Sequence, residues 1–259
     1  MDRRTFLTLP LLMLFARREA AGATALQDRQ RYTADVGVLY DMLTFHLEGT
    51  IDETIDRKNG RYHVIIAGHG SSISNEIDAW GILAEKRWMP VHSRSWFNVR
   101  GRVSSTEIDY DYTRRVIEYH ARAETFFLRR LRIVDDVLAI PSGIHLDDVI
   151  SATLNYADQF WTPQDGILRT FVVRRRHATD EGPDDVAPTY GAEVVQLEAR
   201  LSPELEQGKS VAMFDLSPFS SWIRPSRPAR IVFGNNRRPE LISSQMILGS
   251  SVTIRFGGI

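Results

Sequence analysis

From Tyr32 to Phe256 the chain is built of short segments in which apolar and polar residues alternate, separated by turn residues. That pattern constrains the fold more than any other feature. Alternation with period two marks strands with one buried face, and many such strands at hairpin spacing mark an antiparallel sheet. Tyr32, Ala34, Val36, Val38, Tyr40 and Met42 alternate in one phase. Leu43, Phe45 and Leu47 continue in the other. Residues 32–52 read as one long strand or two joined strands, and a phase flip of this kind is what a β-bulge produces, which bends a sheet. Asn59-Gly60 is a hairpin turn signal, and Tyr62, Val64 and Ile66 lie on one face of the returning strand.

Further strands are read at 88–100, 102–111, 116–123, 166–177, 193–201, 211–216, 229–233 and 250–256, while 71–83 is mixed and 125–136 fits neither period. Asp147 and Asp148 open a helix whose face carries Val149, Ala152 and Tyr156, with Leu154 beside it and Asn155 turned towards water. The expected fold is mainly β: one curved antiparallel sheet, a partial, unclosed barrel, packed around a short helix.

The N-terminus carries a different signal. Arg3-Arg4 precede an apolar run over residues 5–16 that includes Phe6 and Leu7, and Ala23-Thr24-Ala25 offers a cleavage site. The run has the length of a signal-peptide core and is too short to span a bilayer. The arginine pair followed by Phe6 and Leu7 resembles the twin-arginine export pattern, with Asp2 where Ser or Thr is usual and Thr8 where Lys is usual. The expected organisation is a signal peptide at 1–25 and one β-rich domain at 26–259. The expected location is the periplasm, reached through the twin-arginine or the general secretion machinery.

The chain holds no cysteine, which excludes disulfides, thiolate chemistry and the lipid attachment of a lipoprotein. No later segment is apolar enough for a transmembrane anchor. The whole chain has net charge −1, and the first 25 residues carry four arginines against Asp2 and Glu19, which leaves the remainder near −3. Nucleic-acid binding needs a strongly basic face, and the densest basic run, Arg174-Arg175-Arg176, reads as a solvated strand end.

Motifs for chemistry are sparse. The seven histidines make no close metal-ligand pair, so neither a metal site nor a cofactor is expected. Gly68-His69-Gly70-Ser71-Ser72 lacks the G-x-S-x-G elbow of a serine nucleophile. The carboxylate pairs at 135–136, 147–148 and 184–185 are adjacent, whereas acid–base pairs must face each other across a site. Aromatic residues are the richer signal. Trp80, Trp88, Trp96, Phe97, Tyr110, Phe126 and Phe127 crowd the middle of the chain. On the concave face of a curved sheet they would suit an apolar ligand.

The order of features resembles a family of bacterial periplasmic proteins known as domain of unknown function 3108. The resemblance rests on the strand from Tyr32 to Phe45 with Gly37, the Asn59-Gly60 hairpin into Tyr62-His63-Val64-Ile65, and Gly81, Met89-Pro90 and Tyr110-Asp111. It rests further on the Asp148-Val149-Ile150-Ser151-Ala152 helix, the strand from Gly166 to Val173, and Arg227-Pro228 before Ala229-Arg230-Ile231. Such proteins look like curved sheets wrapped around a helix, similar in shape to periplasmic carriers of acyl chains. The leading expectation is a non-enzymatic protein that binds a lipid-like ligand or a cell-envelope partner. Two others stand beside it: an envelope hydrolase or carbohydrate-active enzyme whose site assembles only in three dimensions, and a structural subunit without ligand.

Overall fold

A computed structural model describes residues 25–257 apart from 39, 41, 126, 177–180, 183, 187–190, 203–207, 220–226 and 247–248. The export-signal residues Arg3, Arg4, Phe6, Leu7 and Ala23 lie outside the described residues.

The alternating segments form strands β1 (Leu26–Val38), β2 (Leu43–Asp56), β3 (Arg61–His69), β4 (Ile73–Ala84), β5 (Arg87–Val99), β6 (Arg102–Asp111), β7 (Val116–Glu124) and β8 (Leu131–Ala139). Helix α1 (Val149–Ala157) follows, then β9 (Ile167–Arg175), β10 (Ala192–Leu201), β11 (Ser210–Phe214), β12 (Ala229–Phe233), β13 (Pro239–Gln245) and β14 (Ser251–Phe256). All belong to one antiparallel sheet in the order β8-β7-β6-β5-β4-β3-β2-β1-β14-β13-β12-β11-β10-β9. Consecutive strands pair within β1–β8 and within β9–β14, and β1 against β14 joins the two halves. The result is the curved, unclosed, barrel-like sheet around a short helix that the alternation predicts.

One sequence reading is corrected. The phase flip near residue 42 is a chain reversal: Leu26–Val38 and Leu43–Asp56 pair in register with each other, Val38 opposite Leu43. A turn and a bulge both reset the phase of alternation, so the pattern alone does not separate them. A bulge does occur further on, where Trp80 pairs with His92 but Gly81 pairs with Pro90, leaving Val91 as the extra residue.

Close approach of side chains helps bend the sheet. Tyr62 lies over Gly81, and Tyr32 over Gly68, where a Cβ would overlap the ring and the hydroxyl respectively. Glycine covered by a neighbouring aromatic ring is a known device for curving strands.

The concave side is filled by three apolar clusters. Inward residues of β1–β5, among them Leu47, Ile51, Val64 and Trp88, pack with Ile150 and Leu154 of α1. Tyr156 of α1 joins Trp161, Leu168, Ala212 and Phe233. Ile108, Tyr110, Ile117 and Tyr119 of β6–β7 pack with Leu146, Ala192, Phe171 and Val173. The strand pair β9–β10 is therefore covered on both faces: Leu168 sits in one cluster and Phe171 in another.

The two ends of the sheet meet without a β8–β9 ladder. Side chains bridge the seam instead. Asp136 of β8 accepts from the Ala192 amide at 2.8 Å, and the Arg132 guanidinium donates to the Asp185 carbonyl at 2.7 Å. The free edge of β9 is shielded by the segment leading into α1, which exchanges bonds through His145, Asp147 and Phe171. Unpaired strand edges invite association, and covering them removes that liability. Among the described residues no helix is long and apolar enough to cross a membrane.

Candidate functional site

Helix α1 anchors the interior through a polar stripe. Ser151 and Asn155, four apart, share one helical face, Asp147 just before the N-cap folds over them, and all three are fully buried. Asp147 accepts hydrogen bonds from Arg87 at 2.7 Å, Asn155 at 2.8 Å, Ser151 at 3.0 Å and Thr170 at 2.5 Å. One carboxylate thereby ties β5, β9 and α1 together. The expectation that Asn155 faces water is corrected: it is buried, and Val149, placed on the buried face, is 61% exposed. The other residues read as packed do face the interior, Tyr156 and Leu154 buried and Ala152 against the cluster around Tyr156, so hydrophobic spacing erred at Val149 and Asn155 alone. The inward direction is set by hydrogen-bond partners, since buried polar groups are tolerated where they are satisfied.

Asp148 caps the helix. Its carboxylate accepts from the Ser151 amide at 2.6 Å, while the Ser151 hydroxyl accepts from the Asp148 amide at 2.9 Å, a capping box. Burial pushes its carboxyl up to about 6 against the pull of these bonds, and the neighbouring Asp147 charge adds to the rise. Tyr62, Tyr110 and Tyr112 have phenols raised above their ordinary value, first by burial and then by these carboxylates.

Ser151, His145 and Asp147 are the residue types of a nucleophilic triad, but their arrangement is different. Ser151 donates directly to Asp147, and His145 stands 3.5 Å from the same carboxylate with its Nε2 3.2 Å from the Trp88 carbonyl. A base must lie between nucleophile and acid, and here the serine is sequestered on the acid. This cluster holds the helix in place.

An accessible site lies on the opposite, convex face. A groove of about 690 Å³ runs over β2–β5 and is lined by Trp80, Ile82 and Val91 together with Thr54, Arg61, His63 and Asp78. Trp80 is 39% exposed. Its ring stacks on His92 with centroids 4.0 Å apart and meets the edge of His63 at 6.1 Å. His63 in turn is 2.7 Å from Asp78. The groove is open rather than enclosed, with an apolar floor and a few converging polar groups, the lining chemistry of a small-molecule site.

No family model and no curated protein matches the chain. A solved structure that is similar is the β-barrel-like protein of domain of unknown function DUF1849 from Brucella abortus, at 6% identity, covering 91% of this chain and 99% of that one with a TM-score of 0.44. Its domain number differs from that of the family the sequence motifs resemble.

The aromatic residues read as one concave ligand surface do not converge. Trp88 and Tyr110 are buried in the interior, Trp88 completely. Phe97 is inward-facing but half-exposed at the far end of the trough. Trp80 and Trp96 point outwards, Trp96 beside Glu76, Asp78 and Arg94. Phe127 lies in an exposed turn, and Phe126 lies outside the described residues. The concave face is occupied by α1 and its clusters, and of these aromatics Trp80 is the one that lines the convex groove. The bulge at Val91 explains the split. Trp88 and Trp96 are eight residues apart and would share a face of a regular strand, but the extra residue reverses the phase between them.

The fold also assembles a set that spacing does not show. His92 of β5 is paired with Asp109 of β6, their Nδ1 and Oδ1 atoms 2.6 Å apart. Glu107 stands two residues before Asp109 on the same face. Positions 92, 107 and 109 come together only through the β5–β6 hairpin.

Proposed function

We propose that the protein is an exported binding protein of the bacterial cell envelope, not an enzyme, and that it takes an amphipathic, lipid-like ligand in the convex groove at Trp80. The observation that carries this reading is the partly exposed Trp80 ring, fixed by stacking on His92 and flanked by Ile82 and Val91. A rigid aromatic offers large contact area at little entropic cost. The ligand's apolar body would lie on these three residues, and its polar end would reach Arg61 or the His63–Asp78 pair. Export is supported by the Arg3-Arg4 pair, the apolar run and the Ala23–Ala25 site.

An environment-sensitive apolar dye and organic extraction of the purified mature chain test the binding reading. Trp80→Ala and Ile82→Ser should each weaken dye binding about tenfold without moving the unfolding midpoint by more than a surface substitution does. Unchanged binding in both variants would remove the groove as the site. Replacing Arg3 and Arg4 by Lys should leave uncut precursor in the cytoplasm. Normal processing in cells lacking the twin-arginine translocase would leave only the general secretion route.

A further inference from the structure

We propose that His92, Glu107 and Asp109 form a binding site for a zinc-like divalent cation on the convex face of the β5–β6 hairpin. One nitrogen or oxygen atom from each lies within 4.8 Å of the others. Donor atoms around a tetrahedral zinc are about 3.3 Å apart, given bonds near 2.0–2.1 Å. Small side-chain rotations close that gap.

Three features distinguish this set from an ordinary acidic surface patch. The first is the imidazole. His92 is buried, and its ring is clamped between β6 and the Trp80 indole, so one ligand is already oriented. Ordering a ligand before binding lowers the entropic cost of coordination. The second is register. His92 stands directly opposite Asp109, and alternation puts Glu107 on the same face, so the pleat itself aims all three donors outwards. The third is charge. One neutral imidazole and two carboxylates bring a charge of −2 to a divalent cation. A mixed nitrogen and oxygen donor set suits zinc, iron or manganese better than calcium. Arg94 stands opposite Glu107 in the ladder and is the neighbouring cation that a metal ion would compete with for this carboxylate. The proposal does not depend on the Trp80 groove binding a lipid-like ligand, and either can fail alone.

Calorimetric titration of zinc chloride into chelator-treated mature protein tests it, with His92 imidazole resonances followed by NMR. The wild type should bind one equivalent and shift the His92 signals. Glu107→Gln and Asp109→Asn, exposed or half-exposed conservative changes that leave the core untouched, should each weaken that equivalent at least tenfold. His46→Gln, which removes a separate surface histidine beside Asp35 and Glu48, should leave it unchanged. No binding by the wild type overturns the proposal. So does zinc bound equally by all four proteins, or lost only with His46, since either result means adventitious surface binding.

Discussion

The side-chain amide of Asn155 satisfies both backbone groups of Trp88: its oxygen accepts from the Trp88 amide at 2.7 Å, and its nitrogen donates to the Trp88 carbonyl at 2.9 Å. The helix thus supplies β5 with the hydrogen bonds that a neighbouring strand would otherwise supply. Asn155 also donates to Asp147 at 2.8 Å, which links this contact to the rest of the buried network.

Asn155→Ala should therefore be about as damaging as a core truncation. It leaves the buried Trp88 amide without a partner, a loss of about 1–3 kcal/mol before relaxation, and takes one of two donors from the Trp88 carbonyl and one of four from Asp147. Leu154→Ala removes a fully buried leucine and should lose about 2–5 kcal/mol. Val149→Ala, on the exposed side, should change stability by less than about 0.5 kcal/mol. Urea midpoints of the three variants check the order. A tolerated Asn155→Ala would mean that α1 is not locked to β5 through this residue.

Asp148 should make the fold less stable at neutral than at mildly acidic pH. Its carboxyl titrates near 3.8 when unfolded and at about 6 when folded, raised first by burial. Between those values the folded chain holds a proton that the unfolded chain has released. Its contribution is most favourable below pH 4, declines as pH rises through 6, and is then fully lost. A gap of about two pH units corresponds to about 3 kcal/mol. Other carboxylates act in the opposite sense: Asp35 and Asp158 are lowered, Asp158 because bonds from Arg57 and Trp88 outweigh its burial. The difference between Asp148→Asn and wild type isolates the effect. Asparagine keeps the helix cap and carries no charge, so the variant should match wild type near pH 4 and exceed it by about 3 kcal/mol at pH 7. A flat difference across that range would place the Asp148 carboxyl at its ordinary value.

What the sequence revealed divides along one physical line. Alternation depends only on which face is buried, so β3, β6, β7, β10 and β14 were readable within a few residues. The antiparallel order was readable too, because the turn signals are local, but curvature was inferred from a bulge near residue 42 that is a turn, while the bulge itself lies at Val91. The element boundaries at residues 39–42 and 91 were not readable, because a turn and a bulge both shift the phase and differ only in what pairs with what. Strand β13 gave little signal: it opens on Pro239 and mixes Leu241 and Ile242 with two serines. The interior polar network was hidden for another reason. Asp147, Ser151 and Asn155 repeat at helical spacing, but a polar stripe reads as a solvated face unless its partners are known. Those partners, Arg87, Trp88 and Thr170, come from distant strands. The i, i+4, i+8 spacing of three small polar residues was the available clue.

The β4–β5 turn offers a stabilising change. Glu85 and Lys86 are its two central residues, and both have positive φ, 52° and 61°. That is a type I′ hairpin, the geometry for which Asn-Gly is best suited. A non-glycine residue in this region is strained by about 1–2 kcal/mol. Both side chains are exposed, so the double change Glu85→Asn, Lys86→Gly should raise stability by about 1–2 kcal/mol and move the thermal midpoint upwards. The hairpin carries Trp80 and His92, so dye and zinc titrations on the same protein show whether the convex face is left unaltered. A lower midpoint would mean that the turn takes another form.

Four hairpins each place one histidine against one aspartate on the convex face: His46 with Asp35, His63 with Asp78, His92 with Asp109 and His120 with Asp135, at 2.6–2.8 Å. A carboxylate beside an imidazole favours its charged form. His46 is raised above its ordinary value by its bonds to Asp35 and Glu48, and His120 by its bond to Asp135. A histidine raised on folding contributes its stabilisation in full below the unfolded value near 6.5, and loses it as pH rises through the higher folded value. NMR titration of the imidazole signals should place both midpoints above 6.5. Both pairs are open to solvent, so 1 M salt, with a screening length of about 3 Å, should draw the midpoints back towards it. Asp35→Asn should lower the His46 midpoint and leave that of His120 in place, because the pairs stand on separate hairpins. If His46 titrates at its ordinary value with Asp35 intact, that pair does not persist in solution.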